Sequence, residues 1–347
     1  MWDLKPNDRP LLLLAPMQEV TDLPFMKVMA GYGGADIYVT EYFRVHVDSR
    51  PEKHILRSID ENPTGRPVIA QMIGHVIPDL VRTVRLLEQH SVSGIDLNLG
   101  CPAPVVCRKC AGGGLLREPE KIDAILGALS EAVTTRFTVK TRLGYETPEE
   151  FDALLDIFSK HNIAALSIHG RTVHERYRTP IHPEWIQEAV KRLRCPVFAN
   201  GNVVSVETGR QLAAMTGAAG LMIGRGAVRN PWLFQQLRAS FANQPHEQPA
   251  LADVYEYIKR LFEATKADDG SYHPSKHVQK TKKYLIFIAQ GIDPEGQFEH
   301  RIRRVSTEKE FWGTCDQYLT QGGLFPEQPP ESSSVFCGFR ELMQSCK

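Results

Sequence analysis

Short runs of consecutive apolar, often β-branched residues recur along the first two thirds of the chain, at 11–17, 35–41, 67–74, 94–102, 137–144, 165–172, 196–203 and 220–226. Most gaps between them carry apolar residues at helical spacing, as in 79–90 (Leu80, Val81, Val84, Leu86, Leu87), 121–133, 148–161 and 206–216. Fully apolar strands alternating with amphipathic helices predict a parallel sheet covered by helices. Eight such units predict an α/β fold, a (β/α)8 TIM barrel over residues 1–240. A doubly wound open sheet is the alternative, and the strand ends decide between them. Nearly every run closes on polar, ionisable or glycine residues, among them Gln18, Glu41, Gln71, Cys101, Lys140, His169, Asn200 and Arg225. Eight loops sharing one rim explain that distribution better than the single crevice of an open sheet.

After Trp232 the strand pattern stops. A polar link leads into helical text at 254–266, 276–289 and, more weakly, 307–319, which predicts a small all-helical C-terminal domain over 246–320. Residues 321–347 are rich in Gly, Pro and Ser and are expected to be loose.

Composition narrows the function classes. The chain has 347 residues, 41 Lys and Arg against 41 Asp and Glu, and 42% hydrophobic residues, which excludes a disordered chain and an indiscriminate polyanion binder. No apolar run approaches a membrane span and none near the start suits a secretory signal, so a cytoplasmic protein with no membrane partner is expected. Seven cysteines, three of them within Cys101–Cys110, disfavour a disulfide scaffold and raise the question of a reactive thiol or a metal.

Glycine-bearing loops after the seventh and eighth runs, Asn200-Gly201-Asn202 and Gly224-Arg225, fall where barrels bind phosphate through backbone N–H groups. The plain alternative is that these glycines only make turns. Lys140, inside an apolar strand, must face a ligand or an ion-pair partner such as Asp96. With Gln71 and His169 it offers donors suited to the pyrimidine edge of a flavin. His169 and His174 are too far apart to read as a zinc pair, and neither a dinucleotide fingerprint after a strand nor a Walker sequence is present. Cys101 ends the fourth strand. A free thiol has an ordinary pKa of about 8.5 and is mostly protonated near neutrality, so it can serve as nucleophile or proton donor, or simply pack. Cys107 and Cys110 form a C-x-x-C pair that, joined by Cys315 and Cys337, would bind zinc or an iron–sulfur cluster only if the helical part folds back; otherwise the pair are free thiols.

The pieces Leu14-Ala-Pro-Met17, Thr40-Glu-Tyr-Phe-Arg-Val45, Gln71-Met-Ile-Gly74, Asp96-Leu-Asn-Leu-Gly-Cys-Pro102, Val139-Lys-Thr-Arg-Leu-Gly144, Ile168-His-Gly-Arg-Thr172, Ala199-Asn-Gly-Asn202 and Met222-Ile-Gly-Arg-Gly-Ala227, in this order, resemble the tRNA-dihydrouridine synthases, flavoenzymes of tRNA processing. Gly112-Gly-Gly114 and Tyr272-His-x-x-Lys276 look most like the bacterial C-type branch. The resemblance implies that Pro16, Met17, Gln18, Gln71, Lys140 and His169 line the isoalloxazine of FMN, and that Asn200, Gly201, Asn202, Gly224 and Arg225 hold its phosphate. It implies further that NADPH reduces the flavin, that hydride passes from flavin N5 to uracil C6, and that Cys101 protonates C5. Cys107 and Cys110 depart from the family pattern; Cys101 is preferred as the acid because it alone sits at the strand end. The C-type likeness suggests uridine 16 of the tRNA D-loop.

For RNA, the segment 272–304 carries seven Lys and Arg against three acids, and Lys276, Lys280 and Lys283 share one helical face. With Asn98, Arg171, Arg176, Tyr177 and Arg178 it is expected to contact tRNA, although a merely solvated basic face has the same pattern. Two rivals remain: an FMN barrel dehydrogenase of a small pyrimidine, and a non-catalytic RNA-binding barrel.

Overall fold

The structure is a computed structural model that describes residues 9–266 and 273–344. Nine strands occur among them: β1 (Leu11–Leu14), β2 (Ile37–Val39), β3 (Phe43–Arg44), β4 (Val68–Ile73), β5 (Gly94–Leu99), β6 (Phe137–Arg142), β7 (Ala165–His169), β8 (Val197–Asn200) and β9 (Gly220–Ile223). All pairings are parallel. β1 pairs with both β2 and β9, and β2 pairs with β4, so eight strands close into a ring. Closure leaves no sheet edge and rules out the doubly wound alternative. β3 is the unexpected ninth strand: two residues that extend the end of β4, with Phe43 beside Met72 and Arg44 beside Ile73. Each strand stops where its ladder ends, and the polar residues that close the apolar runs become the rim loops.

The barrel strands are buried on both faces, which is why their sequences lack strict alternation. Leu13, Ile37, Val39, Ile69, Ala165, Phe198 and Met222 pack as one cluster, while Leu12, Leu14, Ala70, Leu97 and Leu166 pack in another with helix residues such as Leu80, Ile125 and Leu154. Gly220 allows a close approach to its neighbouring strands, since a Cβ there would lie 2.5 Å from the Leu11 carbonyl oxygen and 2.9 Å from the Phe198 ring. Local signals set the helices. Proline occupies the first turn of Ile77–Leu87, Pro119–Ala132 and Pro183–Arg192. Val206–Thr216 starts on the Ser205 cap and stops at Gly217, whose φ of 63° is left-handed.

The helical text forms Leu251–Ala264, Pro274–Ile288, Gln297–Ile302 and Glu308–Leu319. These helices share a continuous apolar core with the barrel. The rings of Phe25 and Tyr284 stack at 5.8 Å, and the Tyr284 hydroxyl donates to Asp22 at 3.0 Å, fastening Pro274–Ile288 to the helix Leu23–Ala30. Tyr257 donates to the Val228 carbonyl at 3.0 Å. Tyr272 of the expected Tyr-His-x-x-Lys motif lies outside the described residues.

Residues 321–344 correct the expectation of a loose tail. Phe325, Phe336, Phe339 and Leu342 are buried, and Leu324 bridges to Ala250. The fully buried Arg229 lies under the Phe325 ring and donates to the carbonyls of Pro326, Glu327 and Gln328. Aromatic anchors spaced along Gly, Pro and Ser give the segment a path over the barrel, and buried arginines satisfy its backbone.

Candidate active site

A cavity of about 670 Å3 opens at the C-terminal ends of the strands. This is the end at which barrels of this class gather their chemistry. Its walls differ.

One wall is built by β5 and the loop after it. Asn98 Oδ1 accepts from the backbone N–H of Gly100 (3.0 Å) and Cys101 (2.9 Å), folding the loop so that Cys101 stands at the cavity. Asn98 Nδ2 donates to Gln71 Oε1 at 2.8 Å, and Gln71 Nε2 donates to Asp96 Oδ2 at 2.7 Å. Asp96 also accepts from Thr138 at 2.6 Å, and burial pushes its carboxyl up to about 6. The glycine turn after Cys101 is required by contact. Gly112 has φ of 53°, and a Cβ there would sit 3.0 Å from the Cys101 Cβ; one on Gly113 would sit 2.9 Å from the Cys101 carbonyl oxygen. Tyr42, placed by the turn into β3, lines the same wall, and burial raises its phenol.

The opposite wall comes from β6 to β9. Lys140 donates to Asn200 Oδ1 at 3.1 Å rather than to Asp96, and Asn200 Nδ2 donates to the Met222 carbonyl at 2.7 Å. Burial, with Arg142 nearby, pushes the Lys140 ammonium down to about 8. His169 is buried, and burial with the surrounding cations holds it well below the usual histidine range, so it is neutral at pH 7. Its Nδ1 has no hydrogen-bond partner, and Tyr177 meets its ring edge-on at 5.8 Å. Arg142, Arg171 and Arg225 crowd this side without a paired carboxylate. Glu175, whose charge reaches Arg142 and Arg171, instead accepts from the Thr172 N–H (2.7 Å) and bonds His182 (2.8 Å). Burial lowers all three guanidinium pKa values, that of Arg171 to about 9. Arg171 Nη1 is buried with no partner. Uncompensated buried cations mark a place where an anion is expected.

Of the expected cofactor residues, Pro16, Met17, Gln18, Lys140, His169, Asn200, Gly201, Asn202, Gly224 and Arg225 all line the cavity. Gln71 does not: it is fully buried behind the wall and acts through Asn98. Arg171, expected on the RNA-facing surface, is fully buried because its guanidinium braces the rim, donating to Thr179 O (2.7 Å) and Asn202 Oδ1 (2.9 Å). Arg176, Tyr177 and Arg178 are exposed, the first two at the cavity mouth. Lys276 is exposed, whereas Lys283 is bonded to Glu19 and Lys280 lies beside Asp22, so part of the basic face is directed at the barrel's own acids. The four-cysteine cluster is not assembled. Cys107 contacts the Cys101 carbonyl, Cys315 is buried in Glu308–Leu319 and Cys337 contacts Ser333 and Ser334, while among the described residues no three metal-ligating side chains converge. Missed from sequence were Tyr42, Arg142 and the tail residues Ser334, Val335 and Phe336. For Tyr42 and Arg142 the signal was their position at strand ends.

A closed parallel barrel with a thiol and a cationic wall facing one rim cavity defines a class of barrel enzyme that handles an anionic ligand. The sequence profile described as dihydrouridine synthase (Dus) matches residues 13–322. The chain is 32% identical over 323 residues to the tRNA-dihydrouridine(16) synthase of Ralstonia nicotianae, covering 90% of this chain and 97% of that one. It is 33% identical to the protein of that name from Cupriavidus necator, covering 86% and 94%, and 31% identical to a probable tRNA-dihydrouridine synthase of Staphylococcus epidermidis, covering 89% and 93%. The chain belongs to the dihydrouridine synthase family.

Proposed function

We propose that the chain reduces the C5–C6 double bond of a uridine in the D arm of tRNA, at position 16, using FMN and NADPH, as a cytoplasmic enzyme. The observation that carries the reading is the pairing, across one cavity, of a loop-clamped thiol with a wall of donors and uncompensated cations. The half-buried Arg225 lines the cavity and suits a phosphate, and the neutral His169 with its unpartnered Nδ1 suits a polar ring edge. Asn200, Asn202, Gly224 and Arg225 would hold the phosphate end, and Met17, Lys140 and His169 the ring. When bound, FMN supplies hydride for uracil C6.

The chain's own residues do the rest. Cys101, fixed by Asn98, holds the proton that the C5 position takes up, and its Sγ is the group that must be reprotonated after each turnover. Lys140, still largely protonated near pH 7, places positive charge where negative charge gathers on a reduced ring. The target base must leave its stack, and Arg176, Arg178 and Lys276 are exposed cations suited to the flanking phosphates.

Incubating unmodified tRNA with the FMN-loaded protein and NADPH, then mapping dihydrouridine by mass spectrometry, tests the reading. Dihydrouridine at position 16 is expected. Reduction of free uracil in preference to tRNA would favour the small-pyrimidine dehydrogenase, and a protein that binds tRNA but no flavin would favour the binding module. Among the described residues no helix is long and apolar enough to cross a membrane.

A further inference from the structure

We infer that residues 333–339, beyond the end of the family match at residue 322, form part of the cofactor site, as a segment that positions the cations for the phosphate end. The inference rests on the flavin reading.

Three tail carbonyls meet three donors of the cationic wall. Arg225 Nη1 donates to the Val335 carbonyl, Arg171 Nη2 to that of Cys337 at 3.0 Å, and Asn202 Nδ2 to that of Gly338 at 2.5 Å. These donors stand on the loops after β9, β7 and β8, so one short segment ties together the loops assigned to the phosphate. The Arg225 guanidinium lies 4.7 Å from the Tyr177 ring centre and 5.8 Å from that of Phe336, with the tail supplying one of the two aromatic neighbours. Ser334, Val335 and Phe336 line the cavity itself.

The segment is seated by its own contacts. Ser333 Oγ donates to Gln290 Oε1 at 2.6 Å and accepts from the N–H groups of Val335 (3.2 Å) and Phe336 (3.3 Å), while Phe336 and Phe339 are buried against Val204. Gly338 has φ of 71°, and a Cβ there would lie 2.7 Å from both the Pro180 Cα and the Thr179 carbonyl oxygen, so only glycine fits. The tail takes one donor from each arginine and leaves Arg171 Nη1 buried and unpartnered. Carbonyl and ring contacts therefore fix the guanidinium planes, while the remaining N–H groups of Arg225, which lines the cavity, keep the capacity to bind a phosphate monoester. Charge-assisted bonds of this kind gain most when the donor is held in place and desolvated.

The test compares FMN with riboflavin, which lacks the phosphate, by fluorescence titration into flavin-stripped protein. Wild type, Gly338→Val and a chain ending at Glu331 are used; the shorter chain keeps the carbonyls that satisfy Arg229. The FMN affinity of both variants is expected to fall by about tenfold while riboflavin affinity changes less than about threefold. Equal losses for both flavins would reduce the tail to a general structural role and overturn the proposal. So would unchanged FMN affinity, or tighter FMN binding, which would make the tail a competitor of the phosphate. Circular dichroism melts check folding, and if the shortened chain unfolds, Gly338→Val decides. A wild type that binds neither flavin sinks the flavin reading itself, which is a different result from a wild type that binds FMN beside variants that bind it equally.

Discussion

The thiol wall and the cationic wall face each other across one cavity but are made in opposite ways. On the thiol side the central groups are local: Asp96, Asn98, Cys101 and the Gly112–Gly114 turn fall within one strand and its following loop, reached from outside by Gln71, Thr138 and Tyr42. On the cationic side the groups come from four strands and from a tail more than a hundred residues away, Arg225 to Val335 spanning 110 positions. A local wall holds one atom in one place. A dispersed wall accumulates charge, because β6, β7 and β9 each bring cations to the rim from separate parts of the chain.

Five substitutions would break or sharpen that contrast. The largest effect belongs to Cys101→Ala, which is expected to lower dihydrouridine formation about 100-fold or more while FMN affinity stays within a few-fold. The product is measured by mass spectrometry and the affinity by flavin fluorescence; a variant with full activity would remove Cys101 as the acid. Arg225→Ala, on the other wall, is expected to do the reverse, weakening FMN about 10- to 100-fold with riboflavin far less affected. Asp96→Asn reaches the thiol only through Gln71 and Asn98. It is expected to cut kcat about tenfold with KM and flavin affinity nearly constant, since a lost charge-assisted bond costs roughly 1.5–3 kcal/mol and only part reaches Cys101.

The smallest effect concerns Glu41, behind the thiol wall, whose carboxyl is pushed up to about 7, first by burial and then by nearby Asp22 and Glu19. Its folded pKa exceeds the unfolded one, so its contribution is complete below about 4.5 and is lost as pH rises through about 7. Glu41→Gln should therefore unfold at higher urea than wild type at pH 8, by roughly 1–2 kcal/mol, with the advantage vanishing at pH 5. Lys140 moves the other way. Its charge is held only below about pH 8, so turnover should decline as pH rises from 7 to 9, a decline that Lys140→Met should flatten.

The same contrast explains what could be read from the sequence. The barrel was legible because parallel strands buried on both faces stand out as apolar runs, and the thiol wall because its residues are consecutive. β3 escaped notice because two residues carry no period. Gln71 was misplaced because a polar residue ending an apolar strand can face the cavity or a buried partner, and only the positions of Asp96 and Asn98 decide. Arg171 was read as surface because arginine usually is; three carbonyl and amide acceptors inside the rim made its burial possible. The tail was misread because glycine, proline and serine suggest slack, whereas Phe325, Phe336 and Phe339 determine its course.

The tail's contacts also order events in time. Cys337 bonds Arg171 across 166 residues and Gly338 bonds Asn202 across 136. During synthesis the barrel strands leave the ribosome well before these partners exist, and contacts of such separation close late in folding. The thiol side can therefore mature first, while the cationic side stays unfinished until residues 333–339 are available to close it.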